Sequence, residues 1–243
     1  MHLELKPTGQ AARLFVREQL RSPTTLVLLL VLPVVFVTAA AAVLGPFATA
    51  LGGSASGHAA TALGAGWAAA FLAGALGFFQ TVSSREADQR LALAGLGAGH
   101  TAVARLASAF TLALAVSATA FLALWAHQGM IHPAHIALAI LAFASIYLAI
   151  GIAVGAVVRD PLAGSLAVVF IFILDVFSGP GMTKSAHGLS MLLSPSRKAA
   201  ELLLSAGAGQ HSSTNNWIAA AISTTVAITV ALSVFWLAAR RRG

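Results

Sequence analysis

The sequence predicts an all-α membrane protein with six transmembrane helices. Two observations lead to that prediction: six long, nearly uncharged apolar stretches, and basic residues concentrated at alternate ends of them. A helical run of about 20 apolar residues matches the roughly 30 Å hydrocarbon core of a bilayer. Hydrophobic residues make up 58% of the 243 residues and charged residues only 9%, whereas soluble domains carry about 25% charged residues. A large soluble protein would need a charged surface that this composition does not supply.

The N-terminal residues 1–23 are predicted to form a cytoplasmic interfacial helix. Within residues 7–21, apolar side chains can share one side of a helix while Arg13, Arg17 and Glu18 point toward headgroups and water. This amphipathic pattern is typical of a helix that lies in the plane of the membrane surface.

The six spans follow in order. The first contains Pro33, where we expect a kink, and residues 45–65, rich in Gly, Ala and Ser, are expected to form a flexible loop after it. The predicted spans cover approximately residues 24–44, 66–82, 106–126, 136–158, 162–178 and 217–239.

Two connections are long enough to have a role of their own. Residues 83–105 begin with the most charged stretch of the chain and are predicted to form a cytoplasmic coupling segment. Residues 179–216 form the last loop, in which 185–193 and 197–205 are each predicted to be a short helix. Their apolar faces suit a lipid-facing or re-entrant position against the spans.

The basic residues orient the chain. Eleven of the 14 Lys and Arg residues lie in the N-terminal segment, the second and fourth loops, or the C-terminal tail, and the other three lie in the last loop. Because basic residues accumulate on the cytoplasmic side, both termini are predicted to be cytoplasmic. The same topology accounts for the formal net charge of +7, so we expect no nucleic-acid partner, while anionic membrane lipid is an expected one.

Asp175 is the only acidic residue inside a predicted span, and a carboxylate there is costly enough to suggest a role. It could line a transport pathway, pair with Lys184 or a neighbouring helix, or cap the entry to the last loop.

Three other features of the sequence bear on catalysis or ligand binding. Three histidines, His127, His132 and His135, lie between spans three and four, but no acidic partner is near them, and we predict no metal site. The glycine-rich residues 95–101 lack the Lys and Ser/Thr ending of a phosphate-binding loop. There is no cysteine, and we predict no catalytic residue.

The order and lengths of these elements resemble the ABC-2 type permeases, the membrane subunits of ATP-binding cassette exporters. The similarity covers essentially all of residues 1–243, which would form one transmembrane permease domain. It implies short outer re-entrant helices between spans five and six, and a dimer seam at spans one and five. It also implies a location in the bacterial cytoplasmic (plasma) membrane.

The resemblance further implies the partners and the absence of a cofactor in this chain. ATP and Mg²⁺ would bind to a separate ATPase subunit, and a second permease copy, identical or a close paralogue, would complete a dimeric pump. The residues expected to provide the charges that seat the coupling segment in the ATPase are Arg85, Glu86, Asp88 and Arg90. The alternatives are an ion-gradient-driven secondary transporter or channel, and a membrane scaffold that transports nothing.

Overall fold

A computed structural model describes residues 23–51, 53, 57–85, 98–158, 160–182 and 194–240 of the chain. The regular secondary structure of these residues is helical, without a strand, as predicted. In chain order the helices are α1 (Pro23–Ala39), a π-helical segment (Ala40–Leu44), α2 (Gly45–Ala50), α3 (Gly57–Ser83), α4 (Ala98–Gln128), α5 (Pro133–Val157), α6 (Pro161–Ser178), α7 (Arg197–Gly207) and α8 (Thr214–Arg240).

Six helical stretches of the described residues are long and apolar enough to cross a membrane, which confirms the predicted number of spans. The first is built from α1, the π-helical segment and α2 together, and the others lie in α3, α4, α5, α6 and α8. Large apolar side chains such as Leu30, Leu166 and Phe170 are more than half exposed on these helices. Surface of this kind would promote association in water, and it suits contact with lipid in a multi-pass membrane protein.

The flexible loop predicted for residues 45–65 is wrong in most of its length. Residues 45–50 continue the first span as α2, and α3 begins at Gly57, nine residues before the predicted start of span two. The physical reason is that alanine, the most frequent residue of this stretch, is the best helix former. Pro46 lies in the first turn of α2, directly after the π-helical segment, and within this continuous span its missing N–H removes one backbone hydrogen bond.

Helices α3 and α5 form the centre of the bundle. In the most apolar stretches of spans two and four, 78% and 67% of residues are buried, compared with 18%, 17% and 11% in spans one, five and six. The central pair packs directly together, and the remaining spans contact one or both of its helices. Spans one, five and six therefore leave most of their surface available to lipid or to another protein.

Glycines allow α3 and α5 to approach closely. A Cβ atom added to Gly151 would lie 2.0 Å from the backbone oxygen of Gly74, and one added to Gly77 would lie 2.8 Å from that of Leu148. Gly155 similarly faces the backbone of Phe78. The Gly-x-x-x-Gly sequence at 151–155 thus packs within the chain, in the way that small residues allow backbone contact between membrane helices.

The helices alternate in direction and define two ends of the molecule. One end, which we call the α7 end, holds α7, the start of α3 and the end of α4. There the side chain of Gln128, at the end of α4, donates to the carbonyl oxygen of His58, at the start of α3 (3.0 Å), and Gly207 of α7 packs beside Ala59. The opposite end, which we call the Arg85 end, holds Arg85 and the turn after α5.

Candidate functional site

Asp175, the acidic residue singled out in span five, lies buried in the last turn of α6 at the α7 end, with 1% of its surface exposed. Its Oδ2 atom accepts a hydrogen bond from the Tyr147 hydroxyl of α5 (2.6 Å) and another from the Ser196 hydroxyl just before α7. Its Oδ1 atom is buried without a hydrogen-bond partner among the described residues. Of the predicted possibilities, the structure supports pairing with neighbouring elements, whereas Lys184 lies outside the described residues.

The cluster of Asp175, Tyr147 and Ser196 joins three elements that are separate in sequence. Partners on two of them were not predicted, although Tyr147 is the only tyrosine of the chain and lies in a span, which was an available signal. No Lys, Arg or His among the described residues forms an ion pair with Asp175. Among the described residues, two hydroxyl donors therefore hold the carboxyl group, in an apolar surrounding where an unpaired charge is costly.

Helix α7 confirms the short helix predicted at 197–205, and it is amphipathic. Its buried face consists of Ala199, Ala200, Leu202, Leu203 and Ala206. Those residues pack against α3 and α5, and Gly66 makes room for the Leu203 side chain, because a Cβ atom there would lie 2.3 Å from Leu203 Cδ1.

The other face of α7 is charged. Glu201 accepts hydrogen bonds from Arg197 Nε (3.1 Å) and Lys198 Nζ (2.7 Å). Both pairs are partly exposed, so they add little to stability, and they mark the side of α7 that faces away from the core. The predicted helix at 185–193 lies outside the described residues.

At the Arg85 end, Arg85 follows α3 by two residues and reaches the end of α5. Its guanidinium donates to the backbone oxygens of Val158 (2.6 Å) and Gly155. The last carbonyl groups of a helix lack intrahelical partners and carry partial negative charge, so a cation there both satisfies and stabilises them. Nearby, the Gln80 amide donates to Ser108 Oγ of α4 (2.7 Å). The end of α3 is thereby bonded to both α4 and α5.

The histidines of the α7 end form a different group from the one suggested by the sequence. His132 and His135 lie beside His211, with ring centres 4.4–6.3 Å apart, and His135 also contacts Trp217. His127 takes no part in these ring contacts. Within the described part of the chain, no group of three or more His, Asp or Glu side chains is arranged to hold a metal ion. His211 was not predicted, because it lies in another loop.

An apolar cavity of about 290 Å³ lies between α4, α5 and α8. Ser145 is its one hydroxyl-bearing lining residue. The other lining residues are Ala107, Phe110, Leu148, Ala149, Ile152, Ile228 and Ala231. A lining of this kind suits a hydrocarbon chain better than an ion, because it offers almost no polar group to replace the water around a charge.

The remaining predicted site residues lie outside the described residues: Arg13, Arg17 and Glu18 of the interfacial helix, and Glu86, Asp88 and Arg90 of the coupling segment. Arg85 is the member of the coupling set that the structure describes. Its contact with the end of α5 gives it a role within the chain, and the role of all four residues in binding an ATPase stays a prediction. No family model matches the sequence, and no curated protein is significantly similar to it.

Proposed function

We propose that this chain is the membrane-spanning subunit of an ABC exporter, in which a separate ATPase subunit supplies ATP and Mg²⁺ chemistry. The observation that most supports the proposal is the arrangement of α7 between spans five and six. A short amphipathic helix there packs its apolar face against the two central spans. An outer helix in this position would shape an exit, and it would be the re-entrant element of the outer leaflet.

A mechanical connection between the two ends adds support. Arg85 joins the end of α3 to the end of α5 immediately before the charged residues 86–90. A partner that moved this segment would therefore pull on the central pair of helices directly. Helix α5 in turn contacts Asp175 through Tyr147, which lies near the middle of the helix. Such a movement transmits force only if the packed elements have two discrete arrangements and the partner binds them differently.

The exposed faces of spans one and five support a dimer. Val34 and Val35 on α1 and Phe177 on α6 are about half exposed, and Phe177 packs edge-on against Phe47 of α2 at one place on this surface. A second copy, identical or a close paralogue, would cover it in the assembled pump. The apolar cavity and the scarcity of polar groups in the spans favour an amphipathic or lipidic substrate.

In this proposal the α7 end faces outward, both termini are cytoplasmic, and the protein is located in the bacterial plasma membrane. The basic residues of the Arg85 end support that orientation through the positive-inside rule.

The first experiment is a mild-detergent pull-down of the tagged chain from its native membrane, followed by mass spectrometry. We expect an ATPase with a phosphate-binding loop in stoichiometric amount. Replacing Glu86 and Arg90 together with alanine should reduce that recovery and uncouple ATP hydrolysis from transport, without impairing membrane insertion. The matched control removes one charge of each sign at the other end, Lys198→Ala with Glu201→Ala, and should leave ATPase recovery unchanged. A homo-oligomer reproducibly free of any ATPase would contradict the proposal.

A second candidate function is an ion-gradient-driven transporter, and buried Asp175 is the observation that favours it. A transport flux that persists after ATP depletion and collapses with the ion gradient would support this candidate over the exporter. Absence of flux under every condition would favour the scaffold.

A further inference from the structure

We propose that the apolar cavity between α4, α5 and α8 binds one acyl chain of an anionic glycerophospholipid, whose phosphate lies at the Arg85 end of the bundle. The inference goes beyond the proposed exporter, because this binding needs neither ATP nor an ATPase. Two independent observations lead to it: the shape and lining of the cavity, and the distribution of charge along the three helices around it.

The cavity is a groove that opens toward the surroundings of the bundle. Its floor is formed by α5, where Ser145 and Leu148 are each 4% exposed. Its rims are formed by α4 and α8, and Phe110 on the α4 rim is 41% exposed. Helix α8 packs along α5 but meets α4 at few positions. The two rims therefore stay apart, and a hydrocarbon chain can enter between them from the bilayer.

The size and lining of the cavity suit a single hydrocarbon chain. Its volume of about 290 Å³ lies at the lower limit of the pockets that hold small molecules, about 300–1,000 Å³, which suits one chain better than a bulky ring system. The lining of α5 from Ser145 to Ile152 rises roughly 10 Å along the helix axis. Apolar side chains form nearly all of this lining, which favours methylene groups over a polar ligand.

The cavity lies toward the Arg85 end of the bundle. Ile152 is in the last part of α5, whose final carbonyl groups Arg85 contacts, and Ala107 is in the first half of α4. On α8, the lining residue Ala231 is followed by Trp236, which is 47% exposed. Tryptophan is enriched where a membrane helix crosses the membrane–water interface, and these two α8 residues are separated by roughly 8 Å of helix. The cavity therefore begins just below the level expected for lipid headgroups.

The three helices around the cavity carry positive charge at this end and no negative charge. The sequences of α4, α5 and α8 contain no Asp or Glu. Arg105 lies in α4 just before the lining residue Ala107, and α8 ends at Arg240, beyond Trp236. Asp160, which follows α5, accepts hydrogen bonds from backbone N–H groups of α6.

This distribution of charge selects the headgroup. Arginine near the end of a membrane helix supplies positive charge at the headgroup level, where it attracts anionic lipid. The cavity by itself would accept the acyl chain of any phospholipid. Arg105 and Arg240, on the two rim helices, favour a lipid with a net negative headgroup over a zwitterionic one.

The test exposes the purified full-length chain to a lipid probe in mild detergent, without ATP or any ATPase. The probe is phosphatidylglycerol with a photoreactive diazirine in one acyl chain, and its matched control is phosphatidylcholine with the same chain. After illumination, mass spectrometry of peptides locates the attached residues. We expect saturable attachment at cavity residues such as Leu148 and Ile228.

Competition by unlabelled lipid measures the preference for the headgroup. One basic residue near a lipid surface contributes about fivefold to the binding of an anionic lipid. We therefore expect phosphatidylglycerol to displace the probe between about fivefold and about 25-fold better than phosphatidylcholine does, according to whether one or both arginines act.

One variant tests the site of the acyl chain. Ala149 lines the groove and is buried, so Ala149→Phe should fill the groove and abolish saturable attachment there. Leu122→Phe adds bulk at an exposed position of α4 outside the cavity and should leave attachment unchanged. If Ala149→Phe aggregates on size-exclusion chromatography, Ile228→Trp on the α8 rim takes its place.

A second variant tests the site of the headgroup. Arg105→Gln combined with Arg240→Gln should remove the preference for phosphatidylglycerol and leave attachment of the phosphatidylcholine probe unchanged. Arg197→Gln combined with Lys198→Gln removes the same number of positive charges at the α7 end and should keep the preference.

Three results would overturn the inference. The first is attachment in the cavity that rises in proportion to probe concentration without saturating, as expected for bulk lipid. The second is equal displacement by the two unlabelled lipids in the otherwise unchanged chain. The third is persistence of the site in its own variants, either saturable attachment in Ala149→Phe or a preference for phosphatidylglycerol without Arg105 and Arg240.

Discussion

Gly151→Ala tests the close crossing of α3 and α5. The added Cβ atom would lie 2.0 Å from the Gly74 backbone oxygen and 2.9 Å from the Phe78 backbone nitrogen. Ordinary contact begins at 3.4 Å, so the two helices would have to separate by roughly 1.4 Å, the difference between these distances. Because the opposing atoms belong to the backbone, no side-chain rotation can relieve the clash, and a whole helix must move.

The expected cost follows from that movement. Overpacking a core costs about 1–3 kcal/mol, and we expect Gly151→Ala to reach the upper part of that range because the central pair is involved. The separation would also weaken neighbouring contacts, among them that of Gly77 with Leu148, where an added Cβ atom would lie 2.8 Å from the backbone oxygen.

The measurement is thermal unfolding of the purified protein in detergent, followed by size-exclusion elution of the folded fraction. Gly74→Ala is the matched control, because it lies at the same crossing but its Cβ atom would meet Tyr147 at an ordinary 3.4 Å. We expect a clear loss of thermal stability in Gly151→Ala and a small change in Gly74→Ala. Unchanged stability of Gly151→Ala would refute the close approach, and an equal loss in both variants would refute the assignment of the effect to this contact.

Three further outcomes can be checked. Arg85→Ala should lower the free energy of unfolding by about 1–3 kcal/mol, since it removes charged hydrogen bonds to the end of α5. Thermal unfolding should show partial recovery with Arg85→Lys, and full stability of the alanine variant would contradict the role of Arg85 as the cap of α5. Asp160 caps the start of α6, because its side chain accepts hydrogen bonds from two backbone N–H groups there. Asp160→Ala should lower the free energy of unfolding by about 1 kcal/mol and Asp160→Ser by much less. Equal thermal stability of these two variants would argue against a capping role for Asp160. For orientation, a cysteine at exposed Ser213 should label from outside intact cells, and one at exposed Ser83 only after permeabilisation; the reverse pattern would invert the topology.

Much of the fold could be predicted from the sequence because hydropathy is a local property. A stretch either is or is not apolar enough to span a bilayer, whatever its neighbours are, and all six predicted spans are found. The error at residues 45–65 arose because Gly, Ala and Ser occur both in loops and in closely packed membrane helices. In this chain Gly64 packs against Ala40 of the first span, a contact that only small residues permit.

The candidate site was predictable only in part, for a related reason. A lone carboxyl group in a span is visible in the sequence, because acidic residues are rare within apolar membrane-spanning stretches. Its partners are not visible, because Tyr147 is 28 residues away and Ser196 is 21 residues away. In the same way, the sequence grouped His127 with His132 and His135, whereas the fold replaces it with His211 from another loop.

The sequence alone therefore determined the helical class, the number of spans and the unusual position of Asp175, all of which follow from the composition of short stretches. Tertiary structure decided which spans are central, that Arg85 caps α5, and that α7 is attached to Asp175 through Ser196. These features depend on the rotation and crossing of helices that are distant in the chain. Packing fixes that geometry through contacts such as Gly151 with Gly74, and hydropathy does not encode it.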